Sequence, residues 1–262
     1  MIVTVPPVVA RAANSEVRKA TSVRVNWALA GGVFGVGVLA FLALGLTFEP
    51  GASKKDGFVF ASGWGAAVVG WALVLTVASA GVFGALASGW EYGFRSLAVS
   101  SVFTPDRNLL LGAKLGVVAA FSLATVLAME LVGGAAMLLI GRDKVPVTAG
   151  LFAVLGGVAL AATCWAVIGA SLGFLLRSPI QAVGVVLGLA ILEPLVWITA
   201  RAIGFAGLGT ILPVSATVSA ISGGKFADTA FLAPPPAATA VLVLWTAAAV
   251  AGAWWFVNQR DI

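Results

Sequence analysis

Six long apolar runs constrain this chain more than any other feature. They lie at roughly Trp27–Phe48, Phe58–Ser88, Leu115–Ile140, Gly150–Leu176, Ile180–Thr199 and Ala237–Val257. A membrane-spanning helix needs about 20 predominantly apolar residues, so six spans use close to half of the 262 residues. Inside hydrocarbon every backbone N–H and C=O must find an internal partner, which leaves only helices and closed barrels. The runs are continuous rather than alternating, and this selects helices. Charged residues make up 10% of the chain, against about 25% in a soluble domain. A water-exposed globular enzyme is therefore excluded. The expected fold is an all-α integral membrane protein, with residues 1–262 forming one transmembrane domain.

The absences narrow the chemistry further. Histidine is missing and Cys164 is the only cysteine. That removes His-based triads, His-containing zinc and haem sites, and any internal disulfide. Gly169-Ala-Ser171-Leu-Gly173 matches the GxSxG pattern of serine hydrolases. Such a serine needs a base within hydrogen-bond reach, and no histidine exists to serve. The stretch reads instead as a small-residue face on a helix. Glycines four apart recur at 31/35, 89/93, 112/116, 169/173 and 184/188, a spacing that lets helices approach closely but is no commoner than 32 glycines would produce by chance. Gly223-Gly224-Lys225 lacks the upstream glycine and the Ser/Thr of a P-loop, so the chain has no P-loop of its own with which to hydrolyse ATP. No catalytic residue and no metal or cofactor ligand is expected on this chain.

Residues 1–26 carry Arg11, Glu16, Arg18, Lys19 and Arg24 ahead of a run of full membrane length, a pattern unlike a cleaved signal. At 100° per residue Arg11, Ser15, Arg18 and Ser22 share one face, and Val9, Ala13, Val17 and Ala20 another. This predicts a helix lying in the cytoplasmic interface. With six spans both termini fall on one side, together with Arg95, Arg107, Lys114, Arg177 and Arg260; Lys54, Lys55, Arg142, Lys144, Arg201 and Lys225 fall on the other. The basic bias places both ends in the cytoplasm of a cell-membrane protein. Attraction to an anionic leaflet accounts for the net charge of +5 without nucleic acid as a partner.

Two acids lie inside spans, Glu130 in the third and Glu193 in the fifth, and Trp197 falls in the same deep zone. A charge at mid-membrane costs roughly 2.5–3.5 kcal/mol on insertion scales, so each acid must face a cavity or a partner. These three residues are the expected polar wall of any path through the bundle. Pro194 directly after Glu193 interrupts the helical ladder there. Most other tryptophans, among them Trp27, Trp64, Trp90, Trp254 and Trp255, sit near span ends as interfacial belts do. Residues 201–236 are rich in Gly and Pro yet too apolar for a solvated loop, and they are expected to form short re-entrant helices at the outer leaflet.

The most polar stretch of the chain is the cytoplasmic connection from Gly89 to Lys114. It is expected to form a short surface helix broken by Thr104-Pro105-Asp106. Glu91-Tyr92, Ser96, Thr104-Pro105, Arg107 and Lys114 stand there in an order and spacing that resembles the coupling region of ATP-binding-cassette type-2 exporter permeases. Arg95 stands where that family usually has glycine. Gly173-Phe-Leu-Leu-Arg177-Ser178 is similar to the family's tight turn between spans four and five, and Glu193-Pro194, Leu212-Pro213 and Gln259-Arg260-Asp261 resemble further family features. The resemblance implies a permease that pairs with a second copy or a homologue and binds separate nucleotide-binding ATPase subunits. ATP and magnesium would act at those subunits, and the cargo would be an amphiphile such as a drug, antibiotic or lipid. Glu91, Tyr92, Arg95, Ser96, Thr104, Pro105 and Arg107 would then make the coupling contact. The alternative from the residues alone is a proton-coupled secondary transporter using Glu130 and Glu193.

Overall fold

A computed structural model of the chain describes residues 6–47, 64–94, 106–141, 147–222 and 233–259. All regular elements among them are helical. They are α1 (Pro7–Ser22), α2 (Arg24–Thr47), α3 (Trp64–Gly93), α4 (Arg107–Gly141), α5 (Ala149–Leu176) and α6 (Pro179–Ala202). A 3-10 turn (Ala206–Ile211), α7 (Pro213–Ile221) and α8 (Pro235–Gln259) complete the order. Six helices, α2 to α6 and α8, are long and apolar enough to cross a membrane, as the six runs predict.

Helix ends differ from the apolar runs where local polar chemistry takes over. Hydropathy places the third span from Leu115, but α4 begins at Arg107. Asp106 is the reason: its Oδ1 accepts from the backbone N–H of Asn108 (2.9 Å) and Leu109 (3.2 Å), satisfying two of the orphan donors of a first helical turn. At the other end of the same connection, Trp90 to Gly93 continue α3, and the rest of the expected surface helix, residues 95–105, lies outside the described residues. Glu91 and Tyr92 thus sit on the last turn of a spanning helix. Helix α5 ends on Arg177 in the left-handed region (φ 53°), whose N–H returns to the Gly173 carbonyl. Ser178 and Pro179 then start α6 at once. The tight turn expected here is present, and a non-glycine residue makes it.

The bundle is organised around α3 and α5. Each is 56% buried along its spanning window, whereas α6 and α8 are 17% buried. Lipid tails are as apolar as leucine, so the hydrophobic effect does not drive this contact; close packing and dispersion do. Small residues make it possible. A Cβ on Gly173 would come within 2.8 Å of Ser88 Cβ, and one on Gly84 would run into the Ala166 carbonyl and lie 2.8 Å from Ala170 N. Gly169 likewise abuts the backbone of Gly81 and Ala85. Ser171, two residues from both Gly169 and Gly173, is fully buried and donates to the Val167 carbonyl at 2.8 Å. The GxSxG stretch is therefore a packing surface. Helix α2 runs alongside α4, with Gly37 against Met129 and Gly133 against Phe41.

Candidate functional site

Four charged side chains meet where α1, α3 and α4 converge. Glu16 and Lys19 come from α1, Glu91 from the last turn of α3, and Lys114 from the third turn of α4. Lys114 Nζ lies 2.5 Å from Glu16 Oε2 and 2.8 Å from Glu91 Oε1. Lys19 Nζ lies 2.6 Å from Glu16 Oε1 and 2.9 Å from Glu91 Oε1. Lys114 also donates to the Ala87 carbonyl at 3.3 Å. Two acids and two ammonium groups alternate around the knot, so its formal charge is zero. Glu16, Glu91 and Lys114 are almost wholly buried, while Lys19 reaches the outside. Burial works against the Lys19 ammonium, but hydrogen bonds and charges from Glu16 and Glu91 outweigh it and raise its pKa above the ordinary 10.5.

The knot has a local origin in the sequence. Glu16 and Lys19 are three apart and so share a face of α1, between Ala12 and Ala20, which are also buried. The observed buried face is thus Ala12, Glu16 and Ala20, while Val9 and Val17 remain exposed. Asn26, just past the break at Val23, donates to the Ala20 carbonyl at 2.8 Å and fixes α1 against α2. Beside the knot, Tyr92 packs edge-on against Phe174 (6.2 Å, 84°), and the Arg177 guanidinium stands 5.6 Å from the Tyr92 ring centroid. Arg107 donates to the Val257 carbonyl of α8 at 3.0 Å. Three of the expected coupling residues, Glu91, Tyr92 and Arg107, therefore sit at one end of the bundle, each joined to a different helix. Arg95, Ser96, Thr104 and Pro105 lie outside the described residues.

Sequence reasoning missed Glu16 and Lys19, which entered it only as charges near the membrane surface. The available signal was a lone acid in a basic segment with a lysine three residues on. Lys114 was read as an anchor for the next span, and its ion pairs were not foreseen.

At the opposite end Glu193 has a specific task. Its two oxygens accept from the backbone N–H groups of Val214 (2.9 Å) and Ser215 (2.8 Å). Helix α7 starts at Pro213 behind Leu212, which has no side-chain capping bond. A carboxylate from α6 thus satisfies the first-turn donors that a local Ser or Asp would normally take, at the favourable end of the helix dipole. Helix α6 itself runs on through Pro194. Trp165 Nε1 donates to Thr217 Oγ1 (2.8 Å) and Trp245 Nε1 to the Ile211 carbonyl (2.8 Å). The apolar 201–222 stretch is thereby pinned to α5, α6 and α8, and residues 223–232 of the expected external segment lie outside the described residues.

Glu130 is buried on α4 with no hydrogen-bond partner for Oε1 among the described residues, and Trp197 Nε1 is likewise buried without one. Helices α4 and α6 share no packed interface there, so Glu130 is not brought together with Glu193 and Trp197. No group of three or more His, Cys, Asp or Glu able to hold a metal occurs among the described residues. Compared with known proteins, no family model and no curated protein matches this chain.

Proposed function

We propose that the chain is the membrane-spanning subunit of an ATP-binding-cassette type-2 exporter, acting as a dimer with a second permease and driven by separate ATPase subunits. The observation that carries this reading is the buried knot of Glu16, Lys19, Glu91 and Lys114. It binds α1 to both helices that flank the 95–105 connection, so a displacement of that connection is passed to three helices at once. A neutral, hydrogen-bonded ion knot suits such a junction, because separating its members leaves uncompensated buried charge. Tyr92 with Arg177 and Arg107 with Val257 extend the same end to α5 and α8. In this reading both termini are cytoplasmic, ATP and magnesium stay on the partner, and an amphiphilic cargo moves outward.

A proton relay through Glu130 and Glu193 has less support, since both Glu193 oxygens are engaged at α7 and the two acids stand on helices that do not pack together. The test is reconstitution into vesicles with and without a co-purified P-loop ATPase. Efflux of an amphiphilic dye that requires the ATPase and ATP supports the proposal. Uphill transport by this chain alone on an ion gradient overturns it.

A further inference from the structure

Asn26 has a second feature, apart from its bond to Ala20. The residue is 3% exposed, and its Oδ1 has no hydrogen-bond partner among the described residues. A buried amide oxygen without a donor is costly, and folded proteins supply one from the chain or from ordered water. Asn26 lines a narrow cavity of about 30 Å³ where α2, α3 and α4 meet. Helices α3 and α4 carry five Ser or Thr residues between them. Four of these, Thr76, Ser79, Ser122 and Thr125, line the same cavity.

The bonds these groups already make decide what fits. Asn26 Nδ2 donates to the Ala20 carbonyl. Thr76 donates its hydroxyl to the Ala72 carbonyl (2.8 Å), Thr125 to the Phe121 carbonyl (2.9 Å) and Ser122 to the Ala162 carbonyl of α5 (3.2 Å). Each of these hydroxyl oxygens keeps acceptor capacity, as Asn26 Oδ1 does, so the occupant must donate. No acid stands among the described lining residues, so a metal or ammonium cation would be buried without a counter-charge. The neutral donor of this size is water: one molecule needs about 10–15 Å³ and two to four polar partners.

Helix register names two of those partners. Helices α2 and α4 run in the same direction, with Gly37 beside Met129, Phe41 beside Gly133 and Gly45 beside Met137. In that register Asn26 stands one turn, or about 6 Å, before Ser122. Two hydrogen bonds of about 2.9 Å that share one oxygen match that rise. Asn26 also lines a wider cavity of about 490 Å³ beside the knot, which gives water a route in.

We propose that the cavity between α2, α3 and α4 is a buried water site, the water donating to Asn26 Oδ1 and to the Ser122 hydroxyl oxygen. It ties α2 to α4 through a bridge that exchanges with solvent. The proposal is independent of the ATPase-driven reading.

Water-edited solid-state NMR tests it on the full isotope-labelled chain in vesicles of perdeuterated lipid, where water is the source of proton polarisation. Transfer to the Ser122 and Thr125 side chains should build up earlier than transfer to Thr163 and Thr246. Those two threonines also lie inside spanning helices and donate to carbonyls one turn back (2.7 and 2.9 Å), but they do not line the cavity. Ala30→Leu fills the cavity from α2 and should abolish the early transfer. Gly112→Leu adds bulk on α4 where a Cβ meets nothing within 4 Å, and it should leave the transfer intact. The comparison within the wild-type chain decides by itself, whatever a variant does to folding. Equal build-up at all four residues, or early transfer that survives Ala30→Leu in a folded chain, overturns the proposal. So does an Asn26 side-chain carbonyl resonance that follows sodium or potassium concentration, which would mark a cation site.

Discussion

Lys114→Met tests whether the knot holds its end of the bundle together. Methionine keeps most of the lysine stem's packing, so the change isolates the ammonium. Its loss takes the knot from zero to −1 with Glu16 and Glu91 side chains 6% and 5% exposed. Lys19 stays within 2.9 Å of each acid, which leaves part of the compensation in place. Removing one partner of a buried pair costs about 3–5 kcal/mol, and the retained Lys19 puts this case near the lower end. For a chain of this size that is a fall of roughly 6–12 °C in Tm, read as an apparent value at fixed scan rate in detergent. The decisive measurement is the double variant Lys114→Met with Glu91→Gln. It leaves Lys19 and Glu16 as a neutral pair, so its destabilisation should be less than the sum of the single changes by about 1–3 kcal/mol. Additive costs, or a fall of less than about 2 °C for Lys114→Met alone, would refute the reasoning.

Three further outcomes are expected. Glu193→Gln turns an amide N–H2 toward one of two backbone N–H donors, at a cost of about 1–3 kcal/mol; amide exchange at Val214 and Ser215 should accelerate, and unchanged exchange would show that the cap is dispensable. Gly84→Leu has to displace the Ala166 and Ala170 backbone and should lower apparent Tm by far more than Gly112→Leu, with equal effects counting against the α3–α5 seam. The pKa of Lys19 is raised on folding, so its stabilisation is complete below the ordinary 10.5 and is lost as pH climbs through the higher folded value. The Tm difference between wild type and Lys19→Met should accordingly stay constant from pH 7 to about pH 10 and shrink only above that; a decline near neutrality would contradict it.

The six spans were legible because hydropathy over twenty residues is a bulk property that no tertiary contact reverses. Their ends were less so. Where α4 starts depends on a single carboxylate at Asp106, and the turn that carries α3 past its apolar run holds Glu91, whose lysine partners lie on two other helices. The knot was half visible: Glu91 stood out in the most polar stretch, but Glu16 lies 75 positions away in sequence, and charge counting treats such residues as independent. Glu193 was singled out because an acid in a span is costly. Its partners could not be found by pattern, since they are backbone N–H groups of Val214 and Ser215, which carry no sequence signature. The GxSxG stretch was set aside for want of a base, and the seam between α3 and α5 supplies the positive reason for its small residues.

That seam also limits how the molecule can move. Contacts between long side chains can be re-formed by rotating a bond, but at Gly84, Gly169 and Gly173 main chain lies against main chain and there is nothing to rotate. The third and fifth helices must therefore travel as one beam, and flexing falls to the periphery. Spin labels on these two helices should keep a fixed separation through any conformational change, whereas labels that pair either of them with α2 or α8 should record it.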